Sequence, residues 1–296
     1  MRNAPALSRL VAPMIAVGIL VGGCGQTPPA RTADPTAGNG IYGQAVPAPG
    51  APMAAGSNVT GKLPPSTAPG SMPAGTVYRN PANGRNEVVV ADIARTAVLI
   101  GDSQSEPASS WPRTALASLG YQVHFCGRGG TGFVSSNGTT GNFIDALQRG
   151  DWLLPYGSPP LVVIEGGGND ASRGATDEQI SANAERLIAS IRQRYPDARL
   201  AMVGTLARGA ADGGGRRTEV DTLLGTVAAR QSVPFVSVGD WLTRYNLTGS
   251  MADGVHMAPA GHAALAVLLA RRLDGLGLGT AESRTAESEP AAPADR

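Results

Sequence analysis

The 296-residue chain has only two cysteines, Cys24 and Cys126, so disulfides cannot stand in for a hydrophobic core. Charge of one sign is also lacking. The 24 Lys and Arg residues face 23 Asp and Glu, a net charge of +1, which leaves no footprint for a nucleic-acid binder or a polybasic membrane surface. Aromatic residues make up 4% of the chain, and histidine occurs three times, at His124, His256 and His262. Any imidazole chemistry must come from those three. The apolar run "LVAPMIAVGILVGG" (residues 10–23) is shorter than the ~20 residues that a membrane-spanning helix needs.

What is abundant is glycine (40) and proline (23), unevenly spread. The N-terminus reads as an export signal over residues 1–23: Arg2 and Arg9 supply positive charge, and the short apolar run leads into small residues. Val21-Gly22-Gly23-Cys24 resembles the lipobox of bacterial lipoproteins, which implies lipidation of Cys24 and a chain held at the membrane by that lipid alone. Residues 24–87 are rich in Pro and Gly with few large apolar residues, so they are expected to form a disordered tether. About 60 such residues reach roughly 45 Å. Residues 278–296 have the same character and are expected to form a disordered tail.

Between them, over residues 88–277, strand-like and helix-like segments alternate. "TAVLIG", "YQVHFCG", "PLVVIEGG", "ARLAMVGTL" and "VPFVSVGDW" read as strands, the third without polar alternation, as expected when both faces are covered. "WPRTALASLG", "NFIDALQRG", "TDEQISANAERLIASIRQRY", "EVDTLLGTVAARQ" and "PAGHAALAVLLARRL" read as helices. The third of these has Ile180, Ala184, Leu187, Ile188 and Ile191 near 3.6-residue spacing, behind Thr176 or Asp177 as the cap. The alternation predicts an α/β fold, a three-layer α/β/α sandwich around a central parallel sheet. Ligands of such sheets collect beyond the carboxyl ends of the strands.

Four of those ends carry chemistry: Gly101-Asp102-Ser103, the loop "GRGGTGF" (residues 127–133), Gly167-Gly168-Asn169-Asp170, and Asp253-Gly254-Val255-His256. A serine hydroxyl becomes a nucleophile when a base takes its proton, and imidazole suits that task near neutral pH. Asp253, three residues before His256, is close enough on a turn to hold the ring in one tautomer.

In these four blocks the chain resembles the SGNH (GDSL-type) hydrolase superfamily over residues 96–273. The resemblance implies a catalytic triad of Ser103, His256 and Asp253. It also implies an oxyanion hole from the Ser103 N–H, a glycine of the second block and Asn169. Aligning Gly127 with the family's usual asparagine selects Gly132, with Gly130 as the alternative and Gly129 also available. Gln104 stands where the family usually has Leu. The activity implied is serine-esterase cleavage of an ester through an acyl-enzyme, with no metal and no cofactor. The expected substrate is an O-acyl group on envelope carbohydrate or lipid, met by a monomer that binds no nucleic acid. An acyltransferase using the same triad and a non-catalytic wall-binding lipoprotein are the alternatives.

Other readings are weaker. "GRGGTG" fits a dinucleotide fingerprint, but the following "FVSSNGTTGN" is poor helix material. His124 and Cys126 alternate on one strand face without further ligands. Asp102 and Asp170 read as loop organisers and His262 as a packing residue. Trp111, Phe133, Trp152 and Trp241 read as core rather than pocket. Arg208, Arg216 and Arg217 read as a solvated loop that could meet an anionic substrate.

Overall fold

A computed structural model describes residues 69–280. Cys24, the export signal, most of the tether and the last sixteen residues lie outside the described residues. The described chain opens with an antiparallel hairpin, β1 (Val77–Arg79) and β2 (Asn86–Val88). The main sheet follows: β3 (Thr96–Gly101), β4 (Gln122–Gly127), β5 (Leu161–Glu165), β6 (Arg199–Val203) and β7 (Phe235–Val236). Its order is β4-β3-β5-β6-β7, with every neighbouring pair parallel. The helices are α1 (Trp111–Ser118), α2 (Phe143–Arg149), α3 (Gly168–Ser172), α4 (Asp177–Arg194), α5 (Gly215–Arg230), α6 (Trp241–Arg244) and α7 (Pro259–Gly275).

The two faces of the sheet feed two cores, because successive strand side chains point to opposite sides. Val98, Ile100, Val162, Ile164 and Met202 pack under α2, α4 and α5. Ala97, Leu99, Val163, Ala201 and Val203 pack under α1, α6 and α7. This is the predicted three-layer α/β/α sandwich. The amphipathic stripe of α4 is buried at Ile180, Ala184, Leu187, Ile188 and Ile191, and Thr176 caps the helix in a capping box with Gln179.

Both predicted domain edges need correction. The hairpin belongs to the ordered part although its residues were assigned to the 24–87 tether. Glu87 is 1% exposed and accepts from Arg194 Nη2 at 2.7 Å, and Tyr78 stacks edge-on against Tyr156. The ordered part also runs past 277: Leu278 is buried, its carbonyl accepts from the Tyr121 hydroxyl at 2.8 Å, and Thr280 N–H donates to Leu119 O at 3.1 Å. Strand β7 is much shorter than "VPFVSVGDW" suggests. Beyond Val236, the Ser237 hydroxyl and Val238 N–H donate to Asp221 on α5 instead of continuing the ladder. Among the described residues, no helix is long and apolar enough to cross a membrane.

Candidate active site

β3 ends at Gly101 because the next turn folds back on it: a Cβ there would lie 2.6 Å from Ser105 Cβ and Oγ. Asp102 then shapes the turn. Its carboxylate accepts Gln104 N–H at 2.8 Å, and its carbonyl accepts Ser105 N–H and Glu106 N–H at 3.0 and 2.9 Å. Ser103 is thus lifted to the sheet rim, half-buried.

The loop before α7 brings His256. An isolated bridge between Met251 and Met257 closes it, and Ala252 N–H donates to His256 O at 2.8 Å. His256 Nε2 lies 3.0 Å from Ser103 Oγ, and His256 Nδ1 lies 2.9 Å from Asp253 Oδ2. With Nδ1–H donating to Asp253, Nε2 is the acceptor for the serine hydroxyl proton. The ring contact, then the backbone N–H groups of His256 and Val255, hold the Asp253 carboxyl well below the usual carboxylate range. The structure therefore brings Ser103, His256 and Asp253 into one relay, although 153 positions separate Ser103 from His256.

The second and third blocks meet beside it, with one correction to the sequence reading. Gly132 N–H donates to Ser135 O at 2.9 Å, and the residue packs on Asp170, whose Oδ2 would lie 2.4 Å from an added Cβ. Gly132 is therefore spent on the loop's own structure. The glycine that backs onto Ser103 is Gly129: an added Cβ would stand 3.3 Å from Ser103 Cβ. Its N–H donates to Glu106 Oε2 at 2.9 Å. The next residue, Gly130, has φ +79°, and its N–H, like that of Ser103, makes no hydrogen bond among the described residues. Counting from Gly127 misplaced the glycine because Gly127 is the last residue of β4, paired with Gly101, and the chain turns at once.

Asn169, in the first turn of α3 after β5, lines the same hollow as Ser103, but both of its amide hydrogens are engaged. Nδ2 donates to Asp102 Oδ2 at 3.0 Å and to Thr131 O at 2.9 Å. In this state it ties the first block to the glycine loop, and receiving an oxyanion requires one of those bonds to yield.

Beneath the serine lie two buried carboxyls. Burial pushes Asp102 up to about 6, with Asp170 adding to the rise and Gln104 N–H, Arg217 and His256 opposing it. Burial, then the Asp102 charge, raises Glu165 well above the usual carboxylate range, against a 2.7 Å bond from the Ser105 hydroxyl.

The other sequence candidates have structural partners. His124 Nε2 and Cys126 Sγ both meet Leu153 O, at 2.8 and 3.4 Å. His262 Nδ1 accepts Trp111 N–H at 3.2 Å and so caps α1. Trp111, Phe133 and Trp241 are buried core residues. Among the described residues, no three His, Cys, Asp or Glu side chains cluster as metal ligands would.

Sequence reasoning missed one residue of the site. Gln104 is buried; its Nε2 donates to Val255 O at 2.8 Å and its Oε1 accepts from Trp111 Nε1 at 3.3 Å. The side chain after Ser103 thus holds the residue before His256, a role that Leu cannot fill. The signal was the departure from Leu itself. Gln104→Leu leaves the buried Trp111 N–H unmet and is expected to cost about 1–3 kcal/mol in urea unfolding; an unchanged midpoint would show that the clamp contributes nothing.

The profile of the GDSL-like Lipase/Acylhydrolase family matches residues 95–264, more than half of the chain. No curated protein matches. Among solved structures, an active-site mutant of a family two carbohydrate esterase from Clostridium thermocellum is similar at 20% identity, with 66% of this chain and 68% of that one covered and a TM-score of 0.47. A family two carbohydrate esterase with a carbohydrate-binding domain from Corynascus thermopiles gives 20%, 65%, 70% and 0.48. The lipase/acylhydrolase from Enterococcus faecalis gives 22%, 62%, 96% and 0.47. With the sequence profile running from the strand before Ser103 into the helix after His256, the chain belongs to the GDSL-like lipase/acylhydrolase family and is a hydrolase that acts on esters.

Proposed function

We propose that the chain is an exported serine esterase that works through Ser103, His256 and Asp253. The observation that carries this reading is the continuous contact from hydroxyl to imidazole to carboxylate, at 3.0 and 2.9 Å. Ser103 Oγ attacks the ester carbonyl while its proton passes to His256 Nε2, and Asp253 stabilises the imidazolium. The oxyanion is received by the N–H groups of Ser103 and Gly130, both without another acceptor among the described residues, and by Asn169 once its amide lets go of Thr131 or Asp102. Collapse expels the alcohol with the proton from His256. Water, deprotonated by the same imidazole, then releases the acid and restores Ser103.

The substrate in this reading is an O-acyl group on cell-envelope carbohydrate or lipid, reached by a domain exported through residues 1–23 and held by lipid on Cys24. Its support is the sequence of the N-terminus together with an open site, since His256 and Asp253 are 43% and 57% exposed in their side chains. A fluorophosphonate probe tests the nucleophile: the wild-type protein is expected to label at Ser103, and Ser103→Ala is expected not to label. A folded wild-type protein that never labels would overturn the serine-esterase reading.

A further inference from the structure

The segment after β6 is rich in cations, and they are not equivalent. Arg216 spends its charge on Asp177 at 2.6 Å and on Glu219 at 3.3 Å. Arg208 and Arg217 form no ion pair among the described residues. Arg217 is half-buried, and its guanidinium lies against Gly168, where an added Cβ would come within 3.2–3.3 Å of it. The missing side chain at Gly168 lets the guanidinium reach the start of α3, where Asn169 follows. Its one hydrogen bond among the described residues is to Leu206 O, at a long 3.4 Å. Most of its five N–H donors therefore have no protein acceptor.

Arg217 borders the small hollow that contains Ser103 and Asn169. It also borders an adjoining cleft of about 170 Å³, which shares Leu206 and Val255 with that hollow and adds Arg208 and Met251. No acidic residue lines the cleft. The buried Asp102 and Glu165 feel the Arg217 charge, but neither forms an ion pair with it. In a chain of net charge +1, the Arg217 and Arg208 guanidinium groups, neither in an ion pair among the described residues, concentrate positive charge along the cleft that adjoins the Ser103 hollow. A partly desolvated guanidinium with open donors is stabilised by an anion that brings two oxygens.

Resting on the reading of Ser103 as nucleophile, we infer that this cleft is an anion subsite, so that the preferred ester carries a carboxylate or similar anionic group near the scissile bond. Arg217 is the specificity-determining residue, and Arg208 adds to the field.

The test compares kcat/KM within two matched pairs. One puts the charge on the acyl side, 4-nitrophenyl hydrogen adipate against 4-nitrophenyl hexanoate. The other puts it on the alcohol side, acetylated methyl glucuronoside against acetylated methyl glucoside. In at least one pair the wild-type protein is expected to favour the anion by about tenfold at low salt, the size of a partly screened charge contact. Added NaCl should shrink that preference, Arg217→Gln should abolish it, and Arg217→Lys should keep part of it. Absence of any anion preference in both wild-type pairs would overturn the inference without recourse to a variant, as would a preference that survives in Arg217→Gln. Hydrolysis without charge preference sinks the subsite alone, whereas no hydrolysis of any of the four esters, with no fluorophosphonate labelling, sinks the esterase reading with it.

Discussion

Replacing His256 by alanine is expected to lower kcat on 4-nitrophenyl acetate by about 10⁴- to 10⁶-fold, since serine and base act as one unit. The fold should survive. The ring is partly exposed and its two hydrogen bonds among the described residues are with Ser103 and Asp253, so its removal opens no core cavity. The other two histidines cannot replace it. His124 is tied to Leu153 O, and the His262 Nδ1 lone pair is occupied by Trp111 N–H. Single-turnover kinetics on a folded His256→Ala protein make the check. Retention of more than about a hundredth of wild-type turnover, far above the usual residual rate, would mean that another group takes the proton of Ser103.

Asp170→Ala is the substitution with the largest expected effect on stability. Asp170 is wholly buried at the start of α3, and its carboxylate accepts three consecutive N–H groups: Phe133 at 2.8 Å, Val134 at 2.9 Å and Ser135 at 2.8 Å. Alanine leaves those donors without an acceptor next to a void. Bonds to a charged acceptor and stranded buried donors together are expected to cost about 4 kcal/mol in urea unfolding. Asp170→Asn keeps one acceptor oxygen and should lie between. A loss below about 1 kcal/mol would mean that water or a loop shift satisfies the three donors. Because the glycine loop hangs on this carboxylate, the same variant should also lose activity at temperatures where it remains folded.

The sheet was legible because its central strands, β3, β5 and β6, are buried on both faces. Runs such as "PLVVIEGG" leave no amphipathic ambiguity, and the stripe and cap of α4 are local signals that the structure keeps. The convergence of the four blocks was legible for a geometric reason: parallel strands deliver their carboxyl ends to one edge. Features that depend on distant partners were not legible. The hairpin looks like tether until Arg194, 107 positions away, supplies the partner for Glu87. Histidine 262 reads as packing until α1 presents its first N–H to it. Counting along the loop from Gly127 selects Gly132, but a count carries no information about where the turn falls. That turn follows Gly127 directly and leaves Gly132 to Asp170. For Asn169, position could be read from sequence, while the engagement of its amide by Asp102 and Thr131 could not.

The exposure of His256 and Asp253 has a consequence for how the relay can work. Their attraction is felt through a medium close to bulk water, which weakens a charge pair strongly, and dissolved ions weaken it further. Asp253 therefore acts by fixing the angle of the ring through its hydrogen bond, and its long-range field adds modestly to the stabilisation of the imidazolium. In the proposed reading, so open a relay leaves room for an acyl group that is still fixed to a large carrier.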